Sequence, residues 1–235
     1  MAPNVEADYW AYIEDSPIEN ENRTLSDQVV DRYARSKFDH EDKQFLPAGC
    51  IDELVTVEAI IKELAEKDHL IPEDLDLSKE PKKSVVNFIN ERAKTVFAVA
   101  VLSYLRGEHL GRAMYQFMVK EFDDTSLPVK EEDLVNLVGT KNPWSKTRIH
   151  NFCREQWRFL APIFSQQNFK IVLEPDHILP FIKKSSSVKE GAFSQVYEVE
   201  IHPAHQVDPI RNVRSFQSLL KCIRSTALIY LFSLG

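Results

Sequence analysis

Few residue groups in this chain have the types and spacing that chemistry needs. The most informative is Val188-Lys189-Glu190-Gly191-Ala192-Phe193-Ser194-Gln195-Val196-Tyr197-Glu198-Val199. A turn of small residues joins two extended stretches, with an aromatic at its tip and a valine on the outgoing side. A hairpin of that kind closes over nucleotide phosphates. Where side chains are missing, backbone N–H groups approach anionic oxygens, and the valine lies against the base.

The other groups have plainer readings. His150 and Cys153 fall at i, i+3 on an expected helix, and His202 and His205 flank a Pro-Ala turn. Either pair supplies two metal ligands, but no third or fourth lies nearby in sequence, so packing is the expected role and no metal site is assigned. Asp123-Asp124 and Glu131-Glu132-Asp133 sit at helix starts, where carboxylates suit the helix dipole. Cys50 follows Gly49 at a helix start but has no assignable histidine partner, and Trp10, Trp144 and Trp157 read as packing residues.

The elements that must position the turn follow from the hydrophobic period. The chain has 235 residues, 43% hydrophobic and 10% aromatic, enough for one large or two small domains. Residues 1–45 are polar and acidic and read as loosely structured, with a short helix capped by Ser26 and a loop over Glu14 to Asn22. Ile51, Leu54, Val55, Ile60, Ile61 and Leu64 give one apolar helical face from Cys50 until Pro72. A longer helix is expected from Ser84 to Arg106, closed by Gly107. Its Thr95–Leu105 half has no polar face and must be buried all round. Those eleven residues span about 16 Å against about 30 Å for a bilayer core, so this is a core helix and not a membrane span. Helices over His109–Phe122, over Glu131–Val138 and from a Ser145 cap to about Pro162 complete a helical domain at 46–165. After Phe164 the period becomes two. Asn168–Leu173 is extended, and Gln195–His202 alternates Val196, Glu198, Glu200 and His202 on one face with Tyr197, Val199 and Ile201 on the other. The expected fold class is α+β: a mainly α-helical N-terminal domain followed by a few antiparallel strands.

Net charge is −7, but after Val207 there are four basic residues (Arg211, Arg214, Lys221, Arg224) and a single acid, Asp208. The acidic body argues against nucleic acid or an anionic membrane surface as partner. Three scattered cysteines without a CxxC pair, and an opening without a signal-peptide pattern, fit a reducing, cytoplasmic setting. The sequon Asn22-Arg23-Thr24 is then incidental.

The hairpin and its flanks resemble the start of the small lobe of protein kinases, in particular the fungal serine/threonine kinases. The flanks are Gln156-Trp157-Arg158-Phe159-Leu160-Ala161-Pro162-Ile163-Phe164, Leu179-Pro180-Phe181 and Ile201-His202-Pro203-Ala204-His205, so the resemblance covers roughly residues 156–206. The family's three loop glycines fall on Lys189, Gly191 and Ser194, of which only Gly191 is kept. A lysine loses the conformational freedom of glycine but brings an ammonium for phosphate, and serine is small and can donate. Ser218-Leu219-Leu220-Lys221-Cys222-Ile223 is similar to the strand carrying the family's phosphate-clamping lysine, with Lys221 in its place.

The resemblance implies a partial small lobe at 166–206 and an atypical tail at 207–235 that holds the third strand. It implies ATP as ligand, weakly held, with Mg only alongside ATP. Gly191 would be the backbone cradle, Ser194 a loop donor, Val196 the adenine floor, Lys221 the phosphate clamp, and Lys189 a further phosphate contact. No Asp or Glu follows Asp208, so the family's catalytic-loop and metal-binding aspartates are missing. The expectation is a truncated, catalytically inactive member whose apolar run Thr226–Leu234 is an aggregation liability if exposed. The rival expectation is a non-enzymatic interaction module whose helical domain binds a protein partner.

Overall fold

The computed structural model describes residues 23–38, 43–65, 79–165, 170–185, 189–191, 194–207, 217–223 and 228–230. The Glu14–Asn22 loop, Trp10, Pro72, Ala192, Phe193, residues 208–216 and most of the Thr226–Leu234 run lie outside them. The fold is α+β and mainly helical, and strands dominate only after residue 163.

Helix α1 spans Leu25–Asp31. Its cap is Thr24 and not Ser26: the Thr24 hydroxyl accepts from the Asp27 N–H while the Asp27 carboxylate accepts from the Thr24 N–H. That reciprocal box needs a carboxylate three residues after the hydroxyl, which Thr24 has and Ser26 lacks. Two short antiparallel strands follow, β1 Ala34–Arg35 and β2 Gln44–Phe45.

The single helix expected from Cys50 is two, α2 Cys50–Leu54 and α3 Val57–Leu64. Val55 leaves helical geometry and Thr56 caps the second helix, accepting from the Ala59 N–H. The helix expected over Ser84–Arg106 is likewise split into α4 Lys79–Arg92 and α5 Lys94–Leu102, with a non-helical Ala93 between them. The cause is distant in sequence. The Asp124 carboxylate takes the Thr95 and Val96 N–H groups at 3.0 and 2.9 Å and caps α5 from another element. Val96 through Val101 are buried, but the expected all-round burial of Thr95–Leu105 does not hold to its end: α5 stops at Leu102 and Tyr104 is 68% exposed.

Gly107 opens α6 (Gly107–Val119) instead of closing α5. At the end of α5, Tyr104 takes the left-handed position (φ 64°), and the Arg106 guanidinium donates to the Val101 and Leu105 carbonyls. Helix α7 spans Glu131–Val138 and stops at Gly139 (φ 71°), where a left-handed residue costs least without a Cβ. Helix α8 spans Lys146–Glu155, capped by Ser145, and runs into a 3-10 turn over Gln156–Arg158.

These helices share one continuous core from Leu25 to Cys153. Its aromatic centre is Phe117, with ring centroids 4.7 Å from Phe122, 5.3 Å from Trp144 and 5.8 Å from Phe152. Several polar groups inside it are paired, while the Tyr33 hydroxyl, His109 Nδ1 and Arg112 Nε are buried without a hydrogen-bond partner among the described residues. The Gln156 side chain accepts from Val129 N–H and donates to the Val129 and Cys153 carbonyls, and Asp123 caps the 3-10 turn at Asp124–Ser126 and pairs with Arg92.

The strand region is assembled from β3 Phe164–Ser165, β4 Lys170–Val172, β5 Phe181–Lys184, β6 Lys189–Gly191, β7 Ser194–Ile201, β8 Gln206–Val207, β9 Gln217–Ile223 and β10 Leu228–Tyr230. Four of them form one antiparallel sheet. β7 is central, β9 runs along one side, and β5 then β6 run along the other. β3 pairs in parallel with β8, and β4 pairs antiparallel with β10. The Leu228–Tyr230 part of the apolar tail is therefore a paired strand. A small core of Phe164, Leu179, Phe181, Val199 and Ile201 lies under the sheet.

Among the described residues no helix is long and apolar enough to cross a membrane.

Candidate functional site

The glycine-containing turn is a hairpin. β6 faces β7 with Lys189 opposite Val196, Glu190 opposite Gln195 and Gly191 opposite Ser194. On the other side of β7, β9 places Lys221 opposite Val196 and Ile223 opposite Ser194. Lys189, Val196 and Lys221 thus form one row across three strands, and Gly191, Ser194 and Ile223 form the next. Directly opposed residues share a face and the pleat repeats every two, so the five expected site positions lie on one face of the sheet. At about 4.8 Å per strand, the two lysine positions stand about 10 Å apart with Val196 between them.

The other face is the one that packs. Val199 and Ile201 are 2% and 3% exposed in the core of the strand region, whereas Glu200, on the parity of Val196, is partly exposed and pairs with Lys183 at 2.6 Å. Lys189 and Lys221 hold register positions on the site face near the Gly191–Ser194 pair, and Glu198 and Glu200 hold positions on it farther along β7. The incoming side is irregular. Between the Lys184–Val199 and Lys189–Val196 pairs it carries two more residues than β7 does, and the register shifts again between Phe181 and Lys183. Such bulges bend a strand and increase its twist where the hairpin leaves the sheet.

The route from Gly191 to Lys221 is not a simple long hairpin. After β7 the chain makes a 3-10 turn at Pro203–His205 and pairs β8 with β3 before returning as β9.

The remaining candidates resolve into structural roles. The His150 ring meets the Glu131 carboxylate at 2.7 Å on the surface. Cys153 is buried, and desolvation pushes its thiol up to about 12, which leaves no thiolate for chemistry. Cys50 is half-buried and, like Cys153, has a free thiol. Among the described residues no group of three or more His, Cys, Asp or Glu is placed to hold a metal ion. His202 caps the Pro203–His205 turn by accepting from the Ala204 N–H.

His205 has partners that sequence reasoning missed. It is buried and joins residues more than 40 and 150 positions away. Asp124 was noticed only as a charge at a helix start, whereas it caps α5 across the core. Burial raises its carboxyl pKa despite those two N–H donors.

No family model, curated protein or solved structure matches the chain. What the site can do chemically follows from the positions that share one face of the sheet: Lys189, Ser194, Val196 and Lys221, beside Gly191. That is a set suited to a phosphate-bearing ligand with an apolar ring.

Proposed function

We propose that the strand region is a nucleotide-phosphate lid of the protein-kinase kind, that it contacts ATP weakly, and that these 235 residues transfer no phosphoryl group. The observation carrying this reading is the row Lys189–Val196–Lys221 beside the Gly191–Ser194 turn. Lys221 sits one strand from the valine, where a clamp for the phosphates of a base lying on Val196 is needed. Gly191 and Ser194 stand at the turn, where backbone and hydroxyl donors meet anionic oxygens. Mg enters with ATP, held through its phosphates. The free thiols of Cys50 and Cys153 suit a reducing, cytoplasmic setting.

The test is ATP titration with Mg, followed by thermal unfolding. Binding adds about 2.7 kcal/mol of stability at one hundred times the dissociation constant. For millimolar affinity, stabilisation is expected only at the highest ligand levels and is lost in Lys221→Met. No ATP-dependent change at tens of millimolar, or the same change in Lys221→Met, overturns the reading.

A second reading rests on α3. Val57 and Ile61, one helical turn apart, are 39% and 52% exposed, an apolar pair facing out of the helical body. It favours a protein-contact role for that body. Capture of a partner that is independent of ATP and abolished by the double change Val57→Asp, Ile61→Asp supports it. Capture unaffected by the pair rejects it.

A further inference from the structure

His205 is 2% exposed, and both of its ring nitrogens are engaged in opposite senses. Nδ1 lies 3.1 Å from the Pro162 carbonyl oxygen, which can only accept, so Nδ1 carries the hydrogen. Nε2 lies 3.1 Å from the Ala48 nitrogen and accepts its N–H. The two contacts fix the neutral ring in one tautomer. They also join three separate pieces of chain: the loop between β2 and α2, the segment leading into β3, and the turn that leaves β7. The ring packs edge-on against Phe45, 5.2 Å between centroids, with His202 5.9 Å away.

We propose that His205 is an acid-released latch holding the strand region to the helical body. A proton on Nε2 converts the acceptor into a donor facing the Ala48 N–H, so two buried donors oppose each other and the Ala48 N–H loses its acceptor. Backbone groups at Pro162, Leu46 and Ala161 give the charge some relief, which burial outweighs. The β2–α2 loop contributes Leu46, Pro47 and Ala48, and the segment before β3 contributes Ala161 and Pro162, none of them charged. The titratable group facing the ring is His202, which repels an imidazolium.

Burial and His202 accordingly hold the His205 pKa below the ordinary 6.5. The sign follows from proton linkage. The closed form excludes the proton and the open form accepts it, so the latch has full strength above pH 6.5 and weakens as pH falls toward the lowered closed-state value. Within that window the open population rises about tenfold per pH unit. Opening frees Phe45 and the β3–β8 pairing while the helical core stays closed. The inference stands apart from nucleotide binding.

Amide hydrogen exchange on the full chain tests it directly, since the Ala48 amide is itself half of the latch. Protection at Ala48, corrected for the intrinsic rate, is expected to fall between pH 7.5 and 5.5, while Val99 in α5 holds its protection. In His205→Gln the amide oxygen can accept from Ala48 and does not titrate, so the fall is expected to vanish. His202→Gln is expected to retain it. Ala48 tracking Val99 at both pH values, or an undiminished fall in His205→Gln, overturns the latch. If His205→Gln does not fold, the wild-type ring titration by NMR decides. A His205 midpoint below 6.5 that coincides with loss of Ala48 protection supports it, and a midpoint at or above 6.5 overturns it.

Discussion

The helical body and the strand region reach order by different means. The helical body buries a continuous core around Phe117, Trp144 and Phe152, and it pairs its interior polar groups at Asp124, Asp123 and Gln156. Among the described residues, the strand region has a small core around Phe181 and a smaller one where Phe45, Ala161 and Ile178 meet. Much of its order is borrowed. Lys37 N–H donates to the Phe181 carbonyl at 2.7 Å, and the Lys184 ammonium reaches the Phe38 carbonyl and lies over the Phe38 ring. Leu46 N–H donates to the Arg158 carbonyl, and His205 bridges both sides. A large core can stand alone, whereas a small sheet needs a partner to cover it. A candidate ligand face on a sheet anchored in this way can shift without unfolding the protein.

The largest expected effect separates the two regions. Phe117→Ala is expected to cost about 3–5 kcal/mol and to unfold both regions together in chemical denaturation. Phe181→Ala, with a similar loss of contact in the small core, is expected to remove amide protection from β5 and β7 while α5 stays protected. Loss of protection in α5 as well would show one cooperative unit and break the distinction.

A smaller effect is expected at Asp124. Asp124→Ala leaves the Thr95 and Val96 N–H groups without their acceptor and is expected to cost about 1–2 kcal/mol by denaturant midpoint. Because the folded Asp124 pKa is raised, its ionisation opposes folding: its contribution is fullest below the ordinary 3.8 and declines as pH rises through the folded value. The smallest effect belongs to the surface. Thr24→Ala opens the exposed capping box and is expected to cost about 1 kcal/mol, confined to fraying of α1 in hydrogen exchange.

Legibility in the sequence followed the distance over which each feature is decided. The cap at Ser145, the span of α7, the burial of Val96–Val101 and the alternation of β7 were all readable, because each depends on residues within a turn or a pleat. The breaks at Thr56 and Ala93 were not: an unbroken apolar period masked the local Thr56 cap, and the α5 cap is supplied from elsewhere by Asp124. Tyr104 as the left-handed residue was hidden too, because Gly107 three positions on is the cheaper choice by intrinsic preference.

The amino-acid order alone therefore determined where the main helical stretches lie, that strands dominate after Phe164, and that a small-residue turn lies between two basic positions. Only the tertiary structure decided that Lys189, Val196 and Lys221 share a row, that Asp124 starts α5, and that His205 closes on Ala48 from 157 positions away. Local periodicity is set by backbone sterics and side-chain size within a few residues. Register and long-range hydrogen bonds are set by which surfaces can be buried together, and that is a property of the whole chain.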